Sequence, residues 1–185
     1  MQIKMDKAAV REIEATLSHI KNGSNRAMAS AINHTLGVTR TEASSEIRKD
    51  VKLKAAYVRE RLQLRKASLT RPEGRIATPT RGILGTRFPH REYARGGMGV
   101  QIKPTGGYKR MPGAWLMVLP NGQQAIVFRP SDPSEANWKK AGLRVVYGPS
   151  VSQVFTDVKD DLQAPSGERL IGRMKYEAER LIARQ

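Results

Sequence analysis

Hydrophobic residues recur at intervals of three and four in the first third of the chain, a spacing that predicts α-helices. A first amphipathic helix is predicted over 6–21 and a second over 24–49, with Ser24 in the capping position. The apolar face of the second helix consists of Met28, Ile32, Leu36, Ala43 and Ile47. A short third helix is predicted over 53–62. Residues 1–62 are therefore expected to be mainly helical.

After this helical part the hydrophobic period changes to two, and Gly, Pro and Asn separate short apolar runs. These runs predict β-strands at 75–80, 83–88, 99–104, 114–119, 125–130 and 143–148. The Asn121–Gly122 pair between two strongly apolar runs predicts a β-hairpin over 114–130. The segment 88–98 contains two glycines and two arginines, and Arg87 and Gly99 flank it, which favours a mobile basic loop. Residues 63–148 are expected to be the β-rich part.

Helical periodicity returns in the final segment, 150–185. Ser150 is predicted to cap one helix, Pro165 to interrupt it, and Ser166 to cap a second. Helices, then strands, then helices predict an α+β fold with N-terminal helices, a central antiparallel β-sheet with hairpins, and C-terminal helices. The length of 185 residues is typical of a single domain, 1–185.

Positive charge is concentrated in the first 110 residues of this chain, whose formal net charge is +16, and it is densest in residues 67–110. Residues 67–110 contain 9 basic and 2 acidic side chains, whereas residues 151–185 contain 6 of each. Such an excess favours contact with a polyanion, although an acidic protein neighbour or a solubilising surface would account for it equally well. The candidate contact residues lie around the third helix and in the basic loop: Arg59, Arg61, Arg65, Lys66, Arg87, Arg91 and Arg95.

Residue patterns that carry catalytic or metal chemistry are missing from the sequence. The chain has no cysteine, which excludes disulfides and thiolate sites, and its histidines lack the spacing of a helical zinc motif. The glycines of 96–100 are not followed by the Lys-Ser/Thr pair of a phosphate-binding loop. We predict no catalytic residue, metal, cofactor or small-molecule substrate, and hence no enzyme. No apolar run reaches about 18 residues and the start lacks a signal-peptide core, so we expect a soluble protein without a membrane partner.

Several stretches carry a family resemblance when they are taken in order. They are AINHTLGVTRTEASSEIRK (31–49), VKLKAAYVRERLQLRKAS (51–68), PGAWLMVL (112–119), VFRP (127–130) and GPSV (148–151). Together they cover about residues 25–155, and in this order they resemble the minor tail protein Z family of lambda-like tailed phages and prophages.

The resemblance implies a virion structural protein, not an enzyme. It implies a minor tail or tail completion protein that acts at the neck, the head-proximal end of the tail, during tail assembly and head–tail joining. The implied partners are further copies of the chain in a ring, often a hexamer, other tail or connector proteins, and phage DNA contacted without sequence preference. The implied location is the virion, after assembly in the bacterial cytoplasm.

Two other functions remain compatible with the residues. One is a sequence-independent architectural nucleic-acid-binding protein, and the positive charge is the only feature that supports it. The other is a different head–tail connector or tail terminator subunit, which would share the assembly setting. An architectural protein would hold duplex DNA at about 100–200 mM salt with a steep salt dependence, whereas a neck protein would assemble into rings.

Overall fold

The computed structural model of the protein describes residues 7–184. Helices precede and follow a series of short strands along the chain, so the predicted α+β fold with helices in both terminal parts is confirmed. The helices are α1 (Lys7–Thr16), α2 (Gly23–Asp50), α3 (Ala55–Arg61) and α4 (Val151–Ile182). Position 6, the predicted start of the first helix, lies outside the described residues.

The strands are short and pair in antiparallel fashion. They are β1 (Gln63–Arg65), β2 (Arg75–Ala77), β3 (Ile83–Leu84), β4 (His90–Glu92), β5 (Met98–Val100), β6 (Lys109–Met111), β7 (Trp115–Val118), β8 (Gln124–Phe128), β9 (Arg144–Val145) and β10 (Tyr147–Gly148). Within the described residues they form four small sheets, with strand orders β1–β2, β10–β3, β4–β5–β6 and β7–β8–β9. The predicted central antiparallel sheet is thus divided into separate small sheets.

The hairpin predicted from Asn121–Gly122 is confirmed as β7–β8, with Val118 opposite Gln124. The Gly122 N–H donates to the Leu119 carbonyl at 2.8 Å, and the Leu119 N–H donates to the Gln123 carbonyl at 2.8 Å. Gly122 has φ 75°, the left-handed conformation that closes a three-residue loop. Glycine follows Asn121 here because a side chain at that φ would be strained.

The predicted loop 88–98 instead contains β4 and a turn that leads into β5. The Gly96 N–H donates to the Tyr93 carbonyl at 2.8 Å, and the Tyr93 N–H donates to the Gly97 carbonyl at 3.1 Å. Both glycines have positive φ, 77° and 91°, as the turn of this hairpin requires, and the mobility of the segment stays a prediction. Strand β6, which the hydrophobic pattern does not predict, pairs with the other edge of β5. Its residues, Lys109, Arg110 and Met111, are too polar to form an apolar run.

The boundary between the first two helices differs from the prediction. Helix α1 ends at Thr16, and α2 begins at Gly23 rather than after a capping Ser24. Asn22 adopts φ 57° and its carbonyl accepts from the Arg26 N–H at 3.0 Å, which starts the helix. A Cβ on Gly23 would lie 2.8 Å from the Ile20 Cβ, so this turn needs a glycine at the first helical position.

In α4 the predicted Ser150 cap is confirmed, and the predicted interruption at Pro165 is wrong. The Ser150 Oγ accepts from the Gln153 N–H at 3.1 Å, and the Gln153 Oε1 accepts from the Ser150 N–H at 2.8 Å, a reciprocal capping box. The helix continues through Pro165, whose side chain is exposed. Ser166 is not a cap, because it is buried inside the helix. Packing of the buried stripe on both sides of the proline outweighs its local disruption of the helix.

The chain divides into two compact units. Over the described residues, unit 1 comprises 7–46, Arg59–Thr78 and 155–184, and unit 2 comprises Ile47–Val58 and Pro79–Val154. The expectation that the chain is a single domain stays a prediction. The predicted apolar face of α2 is confirmed, because its five residues are all at most 6% exposed.

In unit 1, polar contacts join α2 to the other segments. Thr39 and Ser166 share a buried hydrogen bond of 2.8 Å between their hydroxyl oxygens, and Arg169 binds both carboxylate oxygens of Glu42 at 2.6 and 3.0 Å. The Asn33 side chain makes a two-point clamp on Ala67: its amide donates to the carbonyl at 3.0 Å, and its oxygen accepts from the N–H at 2.8 Å. The first two contacts join α4 to α2, and the Asn33 clamp fixes the segment after β1 on the surface of α2.

Replacing Asn33 with Ala is expected to lower the free energy of unfolding by about 1–3 kcal/mol, because both backbone groups of the buried Ala67 lose their partner. Urea denaturation of the two proteins measures the difference. His34→Ala is the control, since His34 is the exposed neighbour in the same helix and its loss should change stability by less than about 0.5 kcal/mol. Equal stability of all three proteins would show that the clamp contributes nothing.

In unit 2, the core of β8 and β9 consists of Ala125, Val127, Leu143 and Val145. The segment 132–142, which has no distinctive sequence pattern, folds against it as two short 3-10 turns. Asn137 makes the same two-point contact with Val145 that Asn33 makes with Ala67, at 2.7 and 2.9 Å. A Cβ on Gly148 would lie 2.5 Å from the ring of the buried Phe88, so a glycine is required where these segments approach closely.

Candidate functional site

The structure places the seven predicted contact residues in both compact units. Unit 1 contains Arg59, Arg61, Arg65 and Lys66, and unit 2 contains Arg87, Arg91 and Arg95. All of them are exposed except Arg61, which is half-buried. The residues that surround these cations differ between the two units. In unit 2 tyrosine rings lie next to an arginine, and in unit 1 basic side chains line a concave surface.

In unit 2 two arginines and two tyrosines alternate on one face of the β4–β5–β6 sheet. The Arg91 guanidinium lies over the Tyr108 ring at 4.5 Å from its centre and over the Tyr93 ring at 4.8 Å. The Arg110 guanidinium lies 4.9 Å from the centre of the Tyr93 ring. We call these four residues, in the order Tyr108, Arg91, Tyr93 and Arg110, the Arg–Tyr stack.

Strand register explains why the stack forms. Arg91, Gly99 and Arg110 lie directly opposite one another on the three strands, so the glycine leaves a gap between two arginines. The Tyr93 ring fills this gap, because a Cβ on Gly99 would lie 2.8 Å from it. The next residues of β5, Met98 and Val100, point to the other face and are 1% and 3% exposed. The central strand therefore packs on the side of Met98 and Val100, and the stack lies on the other face of the sheet.

The two guanidinium groups of the stack each make one hydrogen bond within the protein and keep further donors. Arg91 donates one hydrogen bond to the Tyr93 hydroxyl at 3.2 Å, and Arg110 donates one to the Gly96 carbonyl at 3.2 Å. No carboxylate among the described residues lies within ion-pair distance of either arginine. A guanidinium has five N–H donors in a rigid plane, so each retains donors for a carboxylate or a phosphate.

The other two predicted residues of unit 2 lie next to the stack in sequence but outside it. Arg95 is exposed in the turn between β4 and β5. Arg87 ends a 3-10 turn, Gly85–Arg87, and its guanidinium lies 5.5 Å from the centre of the Tyr57 ring. The structure thus brings Arg91 and Arg95 into one hairpin and gives Arg87 a different aromatic neighbour.

In unit 1 the β1–β2 hairpin carries a basic concave surface. A cavity of about 250 Å³ is lined by Arg65, Lys66, Arg71, Glu73, Gly74 and Arg75, and we call it the basic cavity. Arg65 and Arg75 lie directly opposite each other in the strand register, and both are exposed. Of the two predicted residues in this set, Arg65 ends β1 and Lys66 follows it. Arg59 and Arg61 end α3 and do not line the cavity.

Comparison with known protein families gives a match to the family described as Prophage minor tail protein Z (GPZ), over residues 3–78 and 72–184. These overlapping segments cover nearly the whole chain. The chain belongs to the prophage minor tail protein Z family. The family resemblance seen in the sequence is therefore confirmed, and the chain has the structural role of a phage tail component. No curated protein and no solved structure matches the chain.

Two of the stretches that resemble the minor tail protein Z family have a visible structural purpose. The Asn of AINHT is Asn33, whose side chain clamps Ala67 beside the basic cavity. In GPSV, Gly148 makes room for the Phe88 ring and Ser150 caps α4. In this structure these residues contribute to packing, backbone hydrogen bonding and helix capping.

Several residues of the two surfaces were not among the predicted contacts: Tyr93, Tyr108, Arg110, Arg71 and Arg75. A signal for the stack was present in the sequence, since Arg91 and Tyr93, like Tyr108 and Arg110, are two positions apart and share a strand face. The assumption of a loop at 88–98 hid this period. The opposition of Arg65 and Arg75 depends on strand register and has no equivalent in local sequence.

The described part of this minor tail protein Z family member shows neither a metal-binding cluster nor a membrane-spanning helix. Over residues 7–184, no group of three or more His, Asp or Glu side chains is arranged to hold a metal ion. None of the described helices combines the length and apolar character needed to cross a membrane.

Proposed function

We propose that this protein is a tail completion protein that assembles as a ring at the head-proximal end of a phage tail and takes part in head–tail joining. The observation that carries the proposal is the match to the prophage minor tail protein Z family over nearly the whole chain. The role we propose is structural, not catalytic, and its location is the neck of the virion.

The Arg–Tyr stack supports an assembly role through its composition. Arginine and tyrosine are enriched in protein–protein interfaces and dominate their binding energy, because both offer large rigid surfaces with polar edges. Both arginines of the stack are exposed and both tyrosines are half-buried, while Met98 and Val100 are buried on the other side of the central strand. We propose that it contacts an acidic surface of a neighbouring subunit or tail protein, together with Arg87 and Arg95.

A ring follows if this contact joins two different surfaces of identical subunits. A head-to-tail interface of this kind closes into cyclic symmetry when the rotation between subunits is suitable. The net charge of +16 would oppose the association of like subunits unless acidic residues or DNA phosphates compensate it locally. Non-specific contact with phage DNA in the channel of the ring is therefore part of the proposal.

Deletion of the gene from the phage or prophage that encodes it tests the role directly. We expect electron microscopy of the lysate to show filled heads and complete tails that are not joined, and we expect plasmid-borne wild-type protein to restore joined particles. Purified protein should form rings and bind to the head-proximal end of isolated tails. Joined particles in the deletion lysate would contradict head–tail joining, and a lysate without tails would indicate an earlier role.

The same purified protein separates the proposal from the architectural alternative. An architectural protein would bind duplex DNA stoichiometrically at about 100–200 mM salt without forming rings or attaching to tails. That combination of results would replace the tail completion role.

A further inference from the structure

We propose that the basic cavity of the β1–β2 hairpin is a binding site for phosphate groups. It belongs to unit 1, whereas the Arg–Tyr stack belongs to unit 2, so it is a second site. Its lining residues include no tyrosine, which distinguishes it from the stack. The proposal does not depend on the tail completion role.

The basic cavity is lined by more positive than negative side chains. The lining residues include one carboxylate, that of Glu73. It pairs with Arg71 at 3.3 Å. Arg65, Lys66 and Arg75 have no acidic partner within ion-pair distance among residues 7–184. The cavity therefore carries three uncompensated positive charges.

Strand register places two of these charges where they repel each other. Arg65 and Arg75 are directly opposite on antiparallel strands, with Leu64 opposite the buried Ile76 beside them. Side chains directly opposite in an antiparallel pair have Cβ atoms about 4.5–5.5 Å apart, and like charges in these positions destabilise the pair. An anion bound between the two guanidinium groups would turn this repulsion into attraction to a common ligand.

The backbone around the cavity is held in place by α2. The Asn33 clamp fixes Ala67, directly after Lys66. At the other end of the connection, a Cβ on Gly74 would lie 2.5 Å from the Leu36 Cδ1 and 2.7 Å from the Ile32 Cγ2, so the chain lies against the buried face of the helix. Between these points the Ser68 N–H donates to the Arg71 carbonyl at 2.9 Å. The cations thus extend from an anchored loop, which lowers the entropy lost on binding.

The number and type of charges favour phosphate over carboxylate. A carboxylate has two oxygens and one negative charge. The cavity already contains one carboxylate, that of Glu73, which pairs with Arg71. A phosphate has more acceptor oxygens, so it accepts hydrogen bonds from several guanidinium groups at once. The cavity also lacks the tyrosines of the Arg–Tyr stack, so it resembles a phosphate site more than a protein interface. A phosphodiester backbone or free inorganic phosphate would supply the group.

The test compares the full-length protein with Arg65→Gln/Arg75→Gln and with the control Lys139→Gln/Lys140→Gln. The control removes the same charge from two exposed lysines of unit 2. Thermal melting is measured with and without inorganic phosphate, and fluorescence anisotropy measures the binding of a short duplex DNA over a range of salt concentrations. Poly-glutamate serves as the carboxylate probe.

Without phosphate, we expect the cavity variant to melt about 1–3 °C higher than the wild type, because the opposed charges are gone. Phosphate should raise the melting temperature of the wild type and of the control but not that of the cavity variant. Duplex DNA should bind the cavity variant about tenfold more weakly, with a salt slope reduced by about 2, while the control stays close to the wild type.

The melting assay and the DNA-binding assay together identify the source of the phosphate group. Loss of DNA binding without a phosphate effect on melting assigns the cavity to a phosphodiester backbone, and the reverse pattern assigns it to a free phosphate; either result supports the site. Equal behaviour of the cavity variant and the control, in both assays, would overturn it, as would tighter binding of poly-glutamate than of either phosphate probe. None of these outcomes depends on head–tail joining, so failure here is distinct from failure of the tail completion role.

Discussion

Replacing Arg91 and Arg110 with glutamate is expected to lower the yield of infectious phage at least about 100-fold in the complementation system described above. Both guanidinium groups lie on the face of Tyr93, where a carboxylate is repelled by the ring electrons, so the stack is lost. An acidic partner surface would then meet two like charges, which costs several kcal/mol of interface energy and accounts for the drop. Plaque counts measure the yield, and electron microscopy shows whether heads and tails remain unjoined.

Two controls separate the stack from its charge. Lys139→Glu/Lys140→Glu makes the same charge change at exposed positions of unit 2 and should leave the yield within about threefold of wild type, since exposed single charges contribute little. Gly99→Ala changes no charge but places a methyl group 2.8 Å from the Tyr93 ring, so it should impair joining, whereas Gly107→Ala meets no atom within 4 Å. A folded Arg91→Glu/Arg110→Glu protein that supports normal yields would refute a contact role for the stack.

Ending the chain after Pro149 is expected to abolish cooperative folding. The truncation removes α4, whose residues Phe155, Leu162, Leu170 and Met174 are 1–8% exposed. Burial of each such side chain contributes about 1.5–3 kcal/mol, so the total is comparable with the roughly 5–15 kcal/mol by which a whole domain is stable. Buried contacts of α2, such as that of Thr39 with Ser166, are lost as well.

The truncated protein should be insoluble, or should lack near-ultraviolet circular dichroism and bind a hydrophobic dye. A protein ending at Ile182, where α4 ends, is the control and should unfold cooperatively like the full chain. A well-folded product of the shorter truncation that fails only in assembly would assign α4 to a partner contact instead of the core.

The elements predicted best are those in which local chemistry and burial agree. The apolar face of α2, the Ser150 cap and the β7–β8 hairpin all depend on residues within a few positions of one another. Pro165 is the opposite case: the local rule predicts a break, and the buried stripe of α4 continues across it. A packing energy shared with a distant segment is invisible to a window of neighbouring residues.

The predicted contact residues stay a prediction, and the structure shows only where each of them lies. Arg65, Lys66 and Arg91 belong to the two basic surfaces, and Arg59 and Arg61 belong to neither. Charge density alone identifies a basic stretch. It does not identify which arginines lie next to an aromatic ring or directly across from another arginine. The tyrosines were missed because a glycine-rich segment was interpreted as a loop, although two of its glycines form a hairpin turn.

The sequence by itself determined the α+β class, the amphipathic helices, the uneven distribution of charge and membership of the minor tail protein Z family. These properties depend on composition, period and order along the chain. Only the tertiary structure decided that Gly99 seats Tyr93 between Arg91 and Arg110, and that Arg65 faces Arg75. The physical reason is that cross-strand neighbours follow from register, which is set by the packing of the whole sheet.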